Sequence, residues 1–360
     1  MGHRRMTPGE LLPSLSTPAL VVDLDAFEGN IRAMNGLLEG TGKTVRPHVK
    51  THRTPELARR QLGGAVQGIT CATVGEAEAM AAAGIDDILV ANEVVDPGKL
   101  DRLVALARNA RVAVAVDAIE PLQALSATAS GAGVEVDVII DVDILLGRCG
   151  IVSPDEALPL ADAAARLPGV RLRGIMGYEG RVRLSVEGRE AKLRRAYSVL
   201  ADVKEALERA GHPVEWVSAA GTSTLRDALA DPVITEIQAG VYALMEPELL
   251  VMNLPFRCAL TVRGTVVSRH PGRVVLDVGR RSIGQEYGPP EALGILGATV
   301  VVNDEHSIIR APGELPPLGA QVDLRPGQIR TTCNLHDWIW AERDGILVDR
   351  WPVSARGRSD

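Results

Sequence analysis

Between residues 44 and 240 an apolar, strand-like run gives way to an Ala/Leu-rich helical stretch eight times over, and this alternation limits the possible folds most strongly. The runs are "TVRPHVK", "GITCAT", "DILVAN", "RVAVAVD", "EVDVIIDVD", "LRGIMGY", "VEWVSAAG" and "ITEIQAG". Between them lie stretches such as "GEAEAMAAAG", "PGKLDRLVALARNA" and "SPDEALPLADAAARLPG", opened by Ser, Pro or Gly and closed by Gly, as helix start and stop signals require. Strands that alternate with helices and are too apolar to face water on one side imply a parallel sheet. Eight such units favour a closed (β/α)8 barrel over an open sheet. With hydrophobic residues at 46% and aromatics at only 3%, the interior must be filled by Ala, Val, Leu and Ile, as in the packed layers of such a barrel.

After about residue 250 the pattern changes. "CALTVRGTVVSRH", "GRVVLDVG", "TVVVNDEHSIIR", "AQVDLRP" and "DWIWAERDGILVDRWPV" read as strands joined by Gly, Pro and Asp turns, with no long helix between them. The expected organisation is a barrel domain over 25–250 and a β-rich domain made of 1–24 and 251–360, the strand-like "ALVVDL" at 19–24 pairing with the latter.

A formal net charge of −7 with scattered basic residues argues against nucleic acid as a partner. No apolar run reaches the roughly 18 residues of a membrane span, and the opening "MGHRRMTPGELLPSLS" lacks the apolar core of a secretory signal and reads as a mobile tail. Cys71, Cys149, Cys258 and Cys333 are far apart and form no C-x-x-C pair, which fits a reduced, cytoplasmic protein.

In a (β/α)8 barrel reactive groups sit where strands end. Those positions hold Lys50, Thr73, Asn92, Asp117, Arg148, Tyr178, Gly221-Thr222 and Gly240. A lysine in a loop is ordinarily solvated, but Lys50 ends the first strand, in "TVRPHVKTHR", and would point into the barrel mouth. The segments "SAAGTST" and "QAGVY", after the seventh and eighth strands, have the small residues that let backbone N–H groups approach phosphate oxygens. Glycine after a strand is usually just a turn. Combined with an inward lysine, these turns suggest a phosphorylated aldehyde held as a Schiff base, which pyridoxal 5'-phosphate satisfies.

The sequence resembles the D-threonine aldolase and D-serine dehydratase family, pyridoxal-phosphate enzymes of the alanine-racemase-like fold type. The resemblance runs from "TPALVVDLDAFEGNI" through "RPHVKTH", "TVGEAEAMAAAGIDDILVANEVVDP" and "GRCG" to "TEIQAG", "NLHDW" and "WPVSARG", and so covers nearly the whole chain. It implies that Lys50 is the covalent anchor, that Arg148 lies near the cofactor's ring hydroxyl, and that Tyr178 lines the ring. It further implies that Gly221, Thr222, Gly240 and Val241 cradle the phosphate, and that the protein is a homodimer. A surface ion pair for Arg148 and core packing for Tyr178 are the competing readings, and Cys149 reads as a buried filler. No strand-end acid is clearly placed to protonate the pyridine nitrogen.

The family's divalent metal is held by a His-x-Asp or His-x-Cys pair just before an "NLHD"-like segment. Here "RPGQIRTTCNLHDW" puts Gln328 and Arg330 at those positions, and a guanidinium cannot ligate a cation. A histidine that the aldolases carry after the sixth strand is also missing from "YEGRVRL". The expectation is therefore a site without metal, in which Gln328 and Arg330 contact an amino-acid substrate, or in which Arg330 pairs with Glu179. Cys333 and His336 read as a packed residue and a hydrogen-bonded histidine. The first functional expectation is a lyase acting on a β-hydroxy-α-amino acid, of D configuration by the resemblance. The alternatives are a metal-independent amino-acid racemase or epimerase and, third, a non-catalytic pyridoxal-phosphate carrier.

Overall fold

A computed structural model describes residues 15–180, 182 and 187–360, so the N-terminal tail and most of the stretch following Gly180, where the missing histidine was sought, lie outside the described residues. The chain divides into two compact units. One comprises the chain up to Met34, Thr51–Arg60 and Val241–Gly357; the other comprises Asn35–Lys50, Gln61–Gly240 and Arg358–Asp360.

Strand β1 (Ala19–Asp23) belongs to the first unit. The second unit is built on β2 (Thr44–Val45), β3 (Ile69–Cys71), β4 (Asp87–Glu93), β5 (Arg111–Val116), β6 (Val136–Val142), β7 (Val170–Gly177), β8 (Trp216–Ala219) and β9 (Glu236–Ile237). All eight are parallel, in the order β2-β9-β8-β7-β6-β5-β4-β3. A parallel bridge between His48 and Thr70, with the Thr70 N–H donating to Pro47 O at 2.9 Å, joins β2 to β3 and closes the barrel. The first run, 44–50, contributes only two ladder residues of its own, because Pro47 has no N–H to donate and the chain tightens into a 3-10 turn at Val49–Thr51.

Side chains alternate across a strand, so a period of two identifies the inward residues. On β6 these are Asp137, Ile139 and Asp141, and the interior accordingly has three layers. At the strand starts the guanidinium groups of Arg46, Arg111 and Arg173 surround the Trp216 indole at 4.9, 5.2 and 4.5 Å from its centroid. Asp87, Asp137 and Glu236 neutralise them. Above this floor Leu89, Ala113, Ala115, Ile139 and Met176 pack as an apolar layer drawn from four successive strands. Carboxyl groups return above that, with Asp141 buried on β6 and Glu93 beside it.

The first unit contains β10 (Leu260–His270), β11 (Arg273–Leu276), β12 (Glu291–Ala292), β13 (Thr299–Val302), β14 (Ser307–Arg310), β15 (Gln321–Arg325), β16 (Trp338–Arg343) and β17 (Ile346–Pro352). The sheet runs β13-β14-β11-β10-β1-β16-β17, with β15 pairing β10 and β12. As the sequence predicts, the N-terminal β1 is a strand of this C-terminal sheet, with Leu20 opposite Val262 on one side and Ile339 on the other. The β16–β17 hairpin turns on Asp344 and Gly345, both at positive φ (51° and 76°), which a tight two-residue turn demands. No helix among the described residues is long and apolar enough to cross a membrane.

Candidate functional site

Lys50 sits in the 3-10 turn that follows β2, half-buried, with its Nζ 6.0 Å from the centroid of the Tyr178 ring. Tyr178 immediately follows β7 and is 36% exposed, so it is not the packed core residue of the competing reading. Gly221, two residues beyond β8, lies against the same ring: a Cβ built there would be 3.5 Å from Tyr178 Cε2. The backbone at Gly221 is extended (φ −134°, ψ −173°), so glycine serves here to leave space and not to permit an unusual conformation. Lys50, Tyr178 and Gly221 are thus brought together.

Thr222 is buried and opens a 3-10 turn, Thr222–Thr224. Gly240 is also buried and follows β9, the hydrogen-bonded neighbour of β8; the Gln238 N–H donates to Ala219 O at 3.0 Å, so the two turns leave adjacent strands. Val241 begins the next 3-10 turn, Val241–Ala243, and belongs to the other unit. These features fit a phosphorylated, ring-containing cofactor: an amine facing an aromatic ring, and beside that ring a turn without a side chain. Gly221→Val is expected to weaken pyridoxal-phosphate binding by roughly tenfold or more, since branches beyond Cβ would enter the space beside Tyr178. Equal affinity in a binding titration would move the phosphate elsewhere.

Arg148 is exposed, on the loop between Asp143 and Ile151. Asp143 Oδ1 accepts the Leu146 and Gly147 N–H groups at 2.8 and 2.9 Å, and Asp117 Oδ2 accepts that of Gly150 at 3.0 Å. The charge nearby is acidic: burial, then the neighbouring Glu93 carboxyl, hold Asp141 well above the usual carboxylate range, while Arg148 opposes that shift. Burial and Glu93 likewise push the Cys149 thiol up to about 11, which disfavours its thiolate; the residue is half-buried and not the buried filler expected. Two other strand-end residues have local structural duties. Thr73 Oγ1 caps the helix Val74–Ala82 by accepting from Glu76 N, and Asn92 donates to Ala72 O.

In the β-rich unit, Gln328 is buried and caps the helix Ile329–Asn334, its Oε1 accepting the Thr331 N–H at 2.6 Å. Arg330 lies over the Tyr287 ring at 5.4 Å and donates to its hydroxyl at 2.7 Å. As a pair these two positions do not fit a divalent metal, since one oxygen is committed to a helix cap and the other side chain is a cation. Among the described residues no three His, Cys, Asp or Glu side chains converge as metal ligands. Cys333 is fully buried, and His336 Nε2 pairs with Ser282 O at 2.7 Å, burial lowering its pKa; both match their structural readings.

Sequence reasoning missed the Glu93–Asp141 pair and the buried carboxyl of Glu179 as a partner of the turn after β8. The first was findable from acidic residues on the inward period of β4 and β6. Thr224, whose hydroxyl donates to Glu179 Oε1, gave no local signal because its partner is 45 residues away in sequence.

Residues 22–246 match the family described as alanine racemase, N-terminal domain, and 259–341 match the putative serine dehydratase domain. The chain is 40% identical to D-threonine aldolase of Arthrobacter sp, over 98% of this chain and 96% of that protein. It is 34% identical to 3-hydroxy-D-aspartate aldolase of Paracoccus denitrificans, over 98% and 95%. A crystal structure of D-threonine aldolase from Filomicrobium marinum superposes with a TM-score of 0.95 at 34% identity, covering 99% of this chain and all (100%) of that one.

Proposed function

Because the chain belongs to the D-threonine aldolase and D-serine dehydratase family of pyridoxal-phosphate enzymes, with its alanine-racemase-like fold, we propose that it is a lyase that splits the Cα–Cβ bond of a D-configured β-hydroxy-α-amino acid. The observation that supports this reading most directly is the Lys50 amine facing the Tyr178 ring, with the side-chain-free Gly221 on that ring. Lys50 Nζ would hold the cofactor, and its amine would give Cα the one proton that replaces the departing aldehyde carbon, a base having taken the proton of the substrate's β-hydroxyl. Tyr178 would pack on the cofactor's ring, Arg148 would serve its ring hydroxyl, and backbone N–H groups at Gly221-Thr222 and Gly240-Val241 would hold its phosphate. When bound, the cofactor takes up the electron pair released at Cα.

In this reading no divalent metal takes part. Arg330 binds the substrate carboxylate or hydroxyl as a fixed cation, and Gln328 offers only its amide NH2, since its oxygen caps a helix. A guanidinium opposes a nearby metal by about 4 kcal/mol per unit of positive charge at 4 Å and an effective dielectric of 20. Metal analysis of purified protein is therefore expected to find no stoichiometric Mn, Zn or Mg, and chelators to leave turnover intact. One equivalent of metal, lost together with activity on chelation, would overturn this.

Positions 328 and 330 also favour a second reading, since a racemase moving the Cα proton at Lys50 has no use for a metal. Incubating the holoenzyme with D- and L-β-hydroxy amino acids while following aldehyde, ammonia and enantiomer separates the two. Aldehyde release from the D forms is expected; enantiomer exchange alone would replace the lyase with a racemase.

A further inference from the structure

Glu179 follows Tyr178 directly, is only 2% exposed, and has no role in the chemistry above. Its carboxyl reaches the turn after β8 at two places. It accepts the hydroxyl of Thr224 through Oε1, and the backbone N–H of Ala220 lies on the same carboxyl, favouring its charged form. The Thr224 Oγ1 in turn accepts the Gly221 N–H at 3.0 Å. On the far side of the turn, Arg189 Nη2 donates to Ser223 O at 2.9 Å and is held by Asp227 at 2.8 Å.

The backbone supplies the second half of the argument. Ala220 has φ +69°, a left-handed conformation that costs an L-residue free energy and persists only where surrounding contacts hold it. The glycine next to it is extended, so the shape of this turn is not made by glycine. The contact on Ala220 N–H comes from Glu179.

We infer that Glu179 is the positioning residue of the turn Ala220–Thr224: its carboxyl fixes the left-handed Ala220 and the Thr224 hydroxyl, and so sets the direction in which the turn's backbone N–H groups meet a phosphate. This rests on the reading of that turn as the phosphate cradle. Burial pushes the Glu179 carboxyl up, toward its neutral form. Glutamine, which is neutral and nearly isosteric, therefore keeps an oxygen for Ala220 and Thr224, whereas alanine loses it.

The test compares pyridoxal phosphate with pyridoxal, which lacks the phosphate, in binding titrations of the cofactor-free protein. Glu179→Ala and Thr224→Val are each expected to lose roughly tenfold in affinity for pyridoxal phosphate, the scale of one buried hydrogen bond, with pyridoxal affinity unchanged. Glu179→Gln is expected to restore wild-type discrimination between the two. A Glu179→Ala protein with a native thermal transition that binds both compounds as wild type does, or loses both equally, overturns the inference. If that variant does not fold, Thr224→Val decides: an unchanged ratio of the two affinities overturns it. Gly221→Val separates the two layers of the argument. Selective loss of pyridoxal phosphate in that variant, without loss in the Glu179 and Thr224 variants, refutes the role of Glu179 alone. No loss in any of them refutes the cradle itself.

Discussion

Lys50→Ala is expected to purify without the visible absorbance of a lysine-bound cofactor, to take up no label on borohydride reduction, and to lose turnover altogether. The reason is positional. Lys50 is the lysine among the strand-end residues read from the sequence, and its Nζ faces the Tyr178 ring at 6.0 Å. Lys43, the next lysine upstream, is occupied elsewhere, donating to the carbonyls of Asp231 and Ile234 at 2.5 and 2.6 Å. Reduction of wild-type holoenzyme followed by peptide mapping checks this. A label on another lysine would remove the site assignment made from the strand ends.

The second large effect concerns stability. Asp137 is 3% exposed and accepts from Arg171 Nη2 at 2.7 Å, Arg111 Nε at 3.1 Å and Arg173 Nη1 at 3.4 Å. Removing one member of a buried ionic cluster costs about 3–5 kcal/mol, because the remaining charges stay desolvated without compensation. Arg111 and Arg171 are 41% and 50% exposed and can rehydrate, which places Asp137→Ala near the lower figure, about 3 kcal/mol. Urea denaturation followed through Trp216 fluorescence, with the other tryptophans (338, 340 and 351) replaced, should show the midpoint falling. Asp137→Asn, which keeps an acceptor, should lose less. An unshifted midpoint in Asp137→Ala would mean that the arginines are neutralised without it.

The barrel was legible because its signal is local and repeated: each strand is an apolar run, and helices such as Val74–Ala82 and Pro97–Leu106 open on a capping side chain, Thr73 and Asp96. What defeated the reading was geometry set by single residues, as where Pro47 reduces the run 44–50 to two ladder residues. The proximity of Lys50, Tyr178 and Gly221 was legible because the ends of parallel strands in one sheet lie on the same side of it. Gln328 was read from its place in a motif as a substrate contact; that its oxygen also caps a helix, leaving the amide NH2, is decided by the backbone of Thr331 and had no signal in the motif. Glu179 was visible as a residue next to Tyr178. Its partners Ala220 and Thr224 were not, because they meet it only through the parallel pairing of β7 with β8, which joins segments far apart in the chain.

The Arg46–Trp216 layer has a consequence for how the barrel floor responds to change. Three guanidinium groups share one indole, and each is also tied to a carboxylate among Asp87, Asp137 and Glu236. Replacing Trp216 would therefore disturb all three arginines and their acids together, and the effects of substitutions within this layer would not add.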